Sequence, residues 1–206
     1  MPWSYTALIA LSAVVLIVWL LLARANRIDR LHRKVAASRA ALDAQLRRRA
    51  TAAVELASSG LVDPASSIVI ADAAFSATDD DGPALTPVEA LSMKGLGLDR
   101  ERAESALSAA LREALTDIDS LSVHGGDVRD QLLAAVAAAW YRAVVARRFH
   151  NEAVTQCILA RRHWYVRVFR LAWHTPLPVA VDLDDAMPET LVAASTAVES
   201  RAAAGE

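Results

Sequence analysis

The first 23 residues, MPWSYTALIALSAVVLIVWLLLA, carry no charged side chain. No other feature limits the fold so strongly. Within Tyr5–Leu22 the only polar members are Tyr5, Thr6 and Ser12. A helix of roughly 17–25 apolar residues spans a bilayer. Trp3 and Tyr5 stand at one end of the run and Trp19 near the other, where amphipathic rings favour the membrane interface. A helix buried in a small soluble domain would need a polar face, and this one has none. A secretory signal has its basic residues before the apolar run and a small-residue cleavage site after it. Here Arg24, Arg27, Arg30, Arg33, Lys34 and Arg39 follow the run. The expectation is an uncleaved, single-pass anchor in the cell membrane. The positive flank places the N-terminus outside and the rest of the chain in the cytoplasm.

Beyond residue 23 the charge is blocked. Residues 24–49 hold nine Lys/Arg and two acids, and residues 50–139 hold five and fifteen. Residues 140–178 hold seven and one, and residues 179–206 hold one and six. The net charge of −2 conceals this alternation of basic and acidic segments. Hydrophobic residues make up 54% of the chain, and much of the excess is alanine, which favours helix while adding little buried area. The one cysteine, Cys157, excludes an internal disulfide and suits a reducing compartment.

Helical periodicity dominates the remainder. Ile28, Leu31, Val35, Leu42, Leu46, Ala53 and Leu56 recur at three- and four-residue steps, with a drift that suits a period near 3.6. This helix is expected to continue the anchor without a break and to stop at Gly60. Asp63-Pro64 reads as an N-cap and first helical residue, opening a helix to about residue 77. Residues 78–87 form an acidic Gly/Pro loop, with a capping-box pattern at Thr86-Pro87-Val88-Glu89. Asp99 is expected to cap a helix with the stripe Ala103, Ala106, Leu107, Ala110, Leu111 and Leu115. A turn at 120–126 precedes the longest helix, expected to run to about residue 171. Its seam is expected at Val128, Leu132, Ala135, Ala139, Ala146, Phe149, Ala153, Cys157, Ala160 and Trp164. No segment shows convincing strand alternation. The fold class is therefore all-α, an N-terminal transmembrane helix followed by a long antiparallel helical bundle with coiled-coil character.

Three constellations invite a chemical reading. His150 and Cys157 are seven apart and share a helix face, yet a nucleophilic pair needs an orienting group and an oxyanion turn, and neither is present. His150, Glu152, His163 and His174 do not have zinc-ligand spacing. Residues 160–174 interleave Arg161, Arg162, Arg167 and Arg170 with Trp164, Tyr165, Phe169 and Trp173. That mixture suits an anionic membrane surface and, less well in a tethered chain, nucleic acid. A solvated helix end is the plain alternative. Whether this patch returns to the membrane depends on the number of helix crossings, four or three, which the sequence leaves open.

Residues 146–154, ARRFHNEAV, raise the same question of site or packing face. Phe149, Ala153 and Cys157 are expected to point into the bundle, with Arg148 and Glu152 paired outside. Asn151 is expected in the seam, fixing register.

The order of these features resembles the LemA family of bacterial membrane proteins. Residues 25–49 are similar to the family's first long helix, ending in Gln45, Leu46, Arg48 and Arg49. ERAESALSAAL, residues 101–111, resembles its Glu-Asn-x-Leu-Ser motif through Glu104, Leu107 and Ser108, with Ser105 in place of asparagine. ARRFHNEAV resembles Ala-Arg-x-x-Tyr-Asn-x-x-Val through Ala146, Arg147, Asn151 and Val154, with His150 in place of tyrosine. The likeness covers about residues 1–158, and VFRLAWHTPLP then departs from the family's Phe-Pro turn. It implies a tethered helical bundle with Glu104, Leu107, Ser108, Arg147 and Asn151 in structural roles. It implies no catalytic residues and no cofactor.

The resulting expectation has three parts: an anchor at 1–23, a cytoplasmic bundle at 24–178, and an acidic flexible tail at 179–206 in which 188–204 could form a short helix. The function expected is a membrane-anchored scaffold or adaptor and not an enzyme. Its partners would be the bilayer, a membrane or cytoplasmic protein, or further copies of the chain. The alternative is a membrane-surface or nucleic-acid module using Arg161, Arg162, Trp164, Arg167, Arg170 and Trp173. A hydrolase subunit ranks below both.

Overall fold

Helix α1, Pro2–Ser58, runs unbroken from the apolar segment into the body of the protein. No glycine or proline interrupts residues 3–58, so nothing in the chain forces a kink. At 1.5 Å per residue its 57 residues extend about 86 Å. This computed structural model describes residues 2–79, 93, 95–116, 126–168 and 176–192. Among them, helix is the only regular secondary structure. Among the described residues one helix, α1, is long and apolar enough to cross a membrane, and its apolar window is not buried by the rest of the described chain.

Gly60 ends α1 in the left-handed region, at φ 74°, as expected of a C-terminal stop. Helix α2, Pro64–Asp79, starts where Asp63 Oδ1 accepts the backbone N–H groups of Ala65 and Ser66, both at 3.0 Å. Two donors that the first turn would otherwise orphan are thereby satisfied. Helix α3 is Leu98–Thr116 and helix α4 is Gly126–Arg161. Asp99 lies inside the first turn of α3 and does not cap it. The Gly97 carbonyl accepts the first helical N–H, from Glu101, while Asp99 pairs with Arg102. Of the expected loop at 78–87, Thr78 and Asp79 belong to α2, and of the expected turn at 120–126, Gly126 opens α4; the remainder of both, and the capping-box pattern at 86–89, lie outside the described residues.

Helix α4 ends ten residues before the expected boundary near 171. A turn at Arg162 and His163 separates it from the short helix α5, Trp164–Val168. The Arg162 N–H is shared between the carbonyls of Ile158 and Leu159. Neither turn residue is a helix breaker by type. The bend places Val166 in the interior.

The seams also differ from expectation. In α1 one buried seam runs through Ile28, His32, Val35, Arg39, Leu42, Leu46, Arg49, Ala53 and Leu56, with Ala36, Asp43, Ala50, Ala52 and Ala57 buried beside it. The seam's steps alternate four and three, a strict seven-residue repeat and not a drift toward 3.6. In α4, Leu133, Val136, Trp140, Ala143, His150, Val154 and Cys157 are buried and keep the same repeat, with half-buried Arg147 completing it. Val128, Ala135, Phe149 and Trp164 are exposed, so four expected seam residues are not in the core. Phe149 lines a shallow outer groove with Tyr141, Ser38 and Ala41.

Helix α1 packs most extensively against α4, then against α2, and α2 packs on α3. Partner numbers fall along α4 as they rise along α1: Lys34 Nζ donates to Gln156 Oε1 at 3.0 Å, and Ser38 meets His150 at 3.1 Å. Farther out, Leu42 and Leu46 cluster with Ala143. The distal core joins Ala53 and Leu56 of α1, Ile70 and Ala74 of α2, Leu107, Leu111 and Leu115 of α3, and Val136 and Trp140 of α4.

Residues 179–206 were expected to form a flexible acidic tail, yet 176–192 are ordered against the bundle. They lie largely extended across α3 and α4, with a helical stretch at 189–192. Val179, within this strap, donates its N–H to the Met93 carbonyl at 3.3 Å. Val181, Leu183 and Leu191 are buried. Apolar residues alternating with acids let one side enter the core while the other meets arginines. Residues 193–206 lie outside the described residues.

Candidate functional site

The polar residues of the interior gather into two networks and one end face. The first network lies between α1 and α3. Arg49 and Glu104 are both fully buried, with Arg49 Nη2 at 2.7 Å from Glu104 Oε2. The same guanidinium donates to the Glu104 carbonyl and the Ser108 hydroxyl, each at 3.0 Å. Its carbon lies 5.0 Å from the centroid of the Trp140 ring. Arg100 Nε donates to the other oxygen of Glu104 at 3.0 Å, and Arg100 Nη2 lies 3.7 Å from Asp43 Oδ1. Arg47 Nε donates to Asp43 Oδ2 at 3.0 Å. Buried charges persist only when paired, and here Glu104 pairs two guanidinia at once.

The second network holds the strap. Asn151 Nδ2 donates to the Val181 carbonyl, and the Val181 N–H donates back to Asn151 Oδ1, both at 2.9 Å. Arg147 meets Asp185 at 2.7 Å, and the Trp140 indole donates to the Asp185 carbonyl at 3.0 Å. Arg112 of α3 bonds Asp184 and the Ala186 carbonyl, and the Asp184 N–H donates to Ser105 Oγ at 3.1 Å. The Arg112 guanidinium holds the Asp184 carboxyl below its ordinary range. Gly95, at φ 65°, lies against Val179, where an added Cβ would be in ordinary contact at 3.5 Å, so its left-handed backbone is what favours glycine.

Glu104, Leu107 and Ser108 thus sit together in the buried interior of α3. Arg147 and Asn151 sit at the strap. The structure gives Asn151 the strap as its partner in place of a register contact with another helix. Sequence reasoning missed the strap because it is neither helical nor apolar throughout. The arginines that meet Asp184 and Asp185 were the available signal.

The His150–Cys157 pair has no nucleophilic geometry. Seven residues separate the two by about 10 Å along the helix axis. Burial pushes the Cys157 thiol up, which keeps it protonated. Burial pushes His150 down, opposed by a backbone hydrogen bond at Val179 and reinforced by Arg39. Ser38 Oγ lies 2.9 Å from the Val35 carbonyl and 3.1 Å from His150 Nδ1, and the ring's tautomer sets which of Ser38 and Nδ1 donates. Glu152, on the outer face, accepts from Gln156 at 2.7 Å. Among the described residues, no three His, Cys, Asp or Glu side chains are grouped to hold a metal ion.

The end face is formed where α4 and α5 meet α1. Arg161 donates to the Pro176 carbonyl at 2.7 Å, while Arg162 and Trp164 are exposed. The Arg167 side chain, Arg170 and Trp173 lie outside the described residues. Arg24 lies over the Tyr165 ring at 5.3 Å. The described part of the basic-aromatic segment, to Val168, therefore returns to the end of α1 that adjoins the apolar run. Of the two crossing patterns left open by the sequence, this placement matches four.

No family model matches the chain, and no curated protein or solved structure is significantly similar to it.

Proposed function

We propose that the chain is a single-pass membrane protein whose body, on the cytoplasmic side, is an antiparallel helical bundle acting as a scaffold or adaptor. We place it with the LemA family, as a divergent member, on the motif residues Glu104, Leu107, Ser108, Arg147 and Asn151. The observation that carries the reading is the continuity of α1. One unbroken helix provides both the uncovered apolar segment and the seam on which α2 and α4 pack. A body built on the anchor's own helix is held rigidly at the membrane, which suits positioning a partner. The buried charges support the same view. Arg49, Arg100, Glu104 and Asp43 bind one another across two helices, where they specify packing.

The test has two arms on the full chain. Carbonate-washed membranes should retain the protein, and a C-terminal reporter active only outside the cytoplasm should stay silent. Release by carbonate, or a strongly active reporter, overturns the anchor or its orientation. In-membrane crosslinking should give discrete adducts, with another copy or a second protein. A chain that stays monomeric with every crosslinker length overturns the scaffold.

A further inference from the structure

We propose that the membrane-proximal end of the bundle is a lipid-binding collar for anionic phospholipid headgroups, built from Arg24, Arg27, Arg30, Arg162, Trp164 and Val168. This rests on the membrane-anchored reading and names the surface that the end face meets.

The geometry comes first. The apolar run ends at Ala23. Arg24 follows at once and stacks on Tyr165, so α5 lies level with the first cytoplasmic residue of α1. Ile28 and Val166 are both buried at this end of the bundle. By helical rise, Arg27 and Arg30 lie about 4.5 and 9 Å beyond Arg24 along the axis. Both distances fall within the ~10 Å Debye length at 0.1 M salt.

The chemistry follows. Trp164 is 71% exposed and Val168 65% exposed, an aromatic and an aliphatic side chain left uncovered on one five-residue helix. Exposed indole and aliphatic groups beside guanidinia match the bilayer interface, where rings enter the headgroup layer and arginines meet phosphate. Arg24, Arg27, Arg30 and Arg162 are exposed. The one nearby acid on α1, Asp29, is paired with Arg33 at 2.8 Å, and residues 160–168 contain no acid. The collar therefore has the sign of charge that an anionic leaflet attracts. Nucleic acid carries the same charge but has no route to a face pressed against the bilayer.

The collar sets the tilt of the body. With Trp164 seated, α1 and α4 are both fixed at the surface, and the bundle cannot swing about one helix. Each arginine contributes about a five-fold change in the docked-to-undocked ratio.

The experiment uses the full chain reconstituted into phosphatidylcholine bilayers with and without phosphatidylglycerol. A lipid carrying a nitroxide at shallow depth quenches tryptophan fluorescence. The Trp164 contribution is the difference between wild type and Trp164→Phe. We expect Trp164 to be quenched in phosphatidylglycerol bilayers at low salt and substantially less so at 1 M salt or in phosphatidylcholine alone. The triple variant Arg27→Gln, Arg30→Gln, Arg162→Gln should fall to the phosphatidylcholine level with its helical circular dichroism unchanged. Protein that co-floats with the bilayers but shows no Trp164 quenching, or equal quenching in both lipids, overturns the collar and leaves the anchor standing. Protein that fails to co-float overturns both readings.

Discussion

Asn151 and Val181 exchange two hydrogen bonds, side-chain amide against backbone amide, both at 2.9 Å. The pair joins an α4 side chain to a strap 30 residues farther along the chain. An asparagine amide carries a donor and an acceptor side by side, so it can donate to the carbonyl and accept from the N–H of one backbone residue. This makes Asn151 specific for an extended segment, since a helix would already have used both groups.

Substituting Asn151→Asp keeps the shape and removes the donor. The Val181 carbonyl then faces a carboxylate. The loss should be about 1–3 kcal/mol, the cost of an unsatisfied buried group. Hydrogen exchange should quicken at Val181 and its neighbours in 176–188 while α4 stays protected. Fast exchange throughout 140–160 would show that the bond supports the helix itself.

The buried charges make an asymmetric prediction. Glu104→Gln removes the carboxylate charge that Arg49 and Arg100 share, while Asp43 stays 3.7 Å from Arg100. Arg49→Met leaves Glu104 still bonded to Arg100 at 3.0 Å. Breaking a buried pair from one side costs about 3–5 kcal/mol. We expect Glu104→Gln near the upper end of that range and Arg49→Met near the lower. Denaturant melts of the two full-length variants in the same detergent compare them directly. An equal or reversed order would assign the network's strength to Asp43 instead.

Much of this architecture is legible in the sequence. The apolar run, the Gly60 stop and the Asp63 cap are local signals, and each is where its residues say. The seams are harder because polar side chains occupy them. His32, Arg39 and Arg49 sit at seam positions of α1, and His150 at one of α4. A search for apolar periodicity skips all four and settles on Phe149, which is 68% exposed. The strict seven-residue spacing from Ile28 to Leu56 becomes visible only when charged residues may count as core. The strap is less legible still. Its contacts with Ser105, Arg112, Trp140 and Asn151 span at least 30 residues of sequence, and no local propensity encodes them.

Gly60 gives a test of backbone strain free of packing. A Cβ there would meet nothing within 4 Å, yet φ is 74°. Gly60→Ala should therefore destabilise by about 1–2 kcal/mol through conformation alone. Thermal denaturation against wild type measures it. An unchanged midpoint would mean the junction of α1 and α2 relaxes into ordinary helix geometry.

His150 predicts how stability depends on pH. Its ring is buried, and burial is the main cause holding its folded pKa below 6.5. His32 is shifted the same way, by burial first and then by Arg161. In the window just below 6.5 the unfolded chain binds protons on both rings while the folded chain resists them. Stability therefore rises with pH through that window, is fully present above 6.5, and is lost as pH falls toward the folded values. Glu101 opposes this at lower pH, because burial raises its carboxyl and favours the protonated folded form as pH falls toward 4.5. Asp63 and Asp184 are held low, so their contributions are lost only below 3.8. The histidine slope should thus be cleanest just under 6.5. Melts of wild type and His150→Gln across this range should show a shallower slope in the variant, with the remainder removed by adding His32→Gln. Parallel pH profiles for wild type and the double variant would mean the two rings are protonated as readily in the folded chain as in the unfolded one, against their burial.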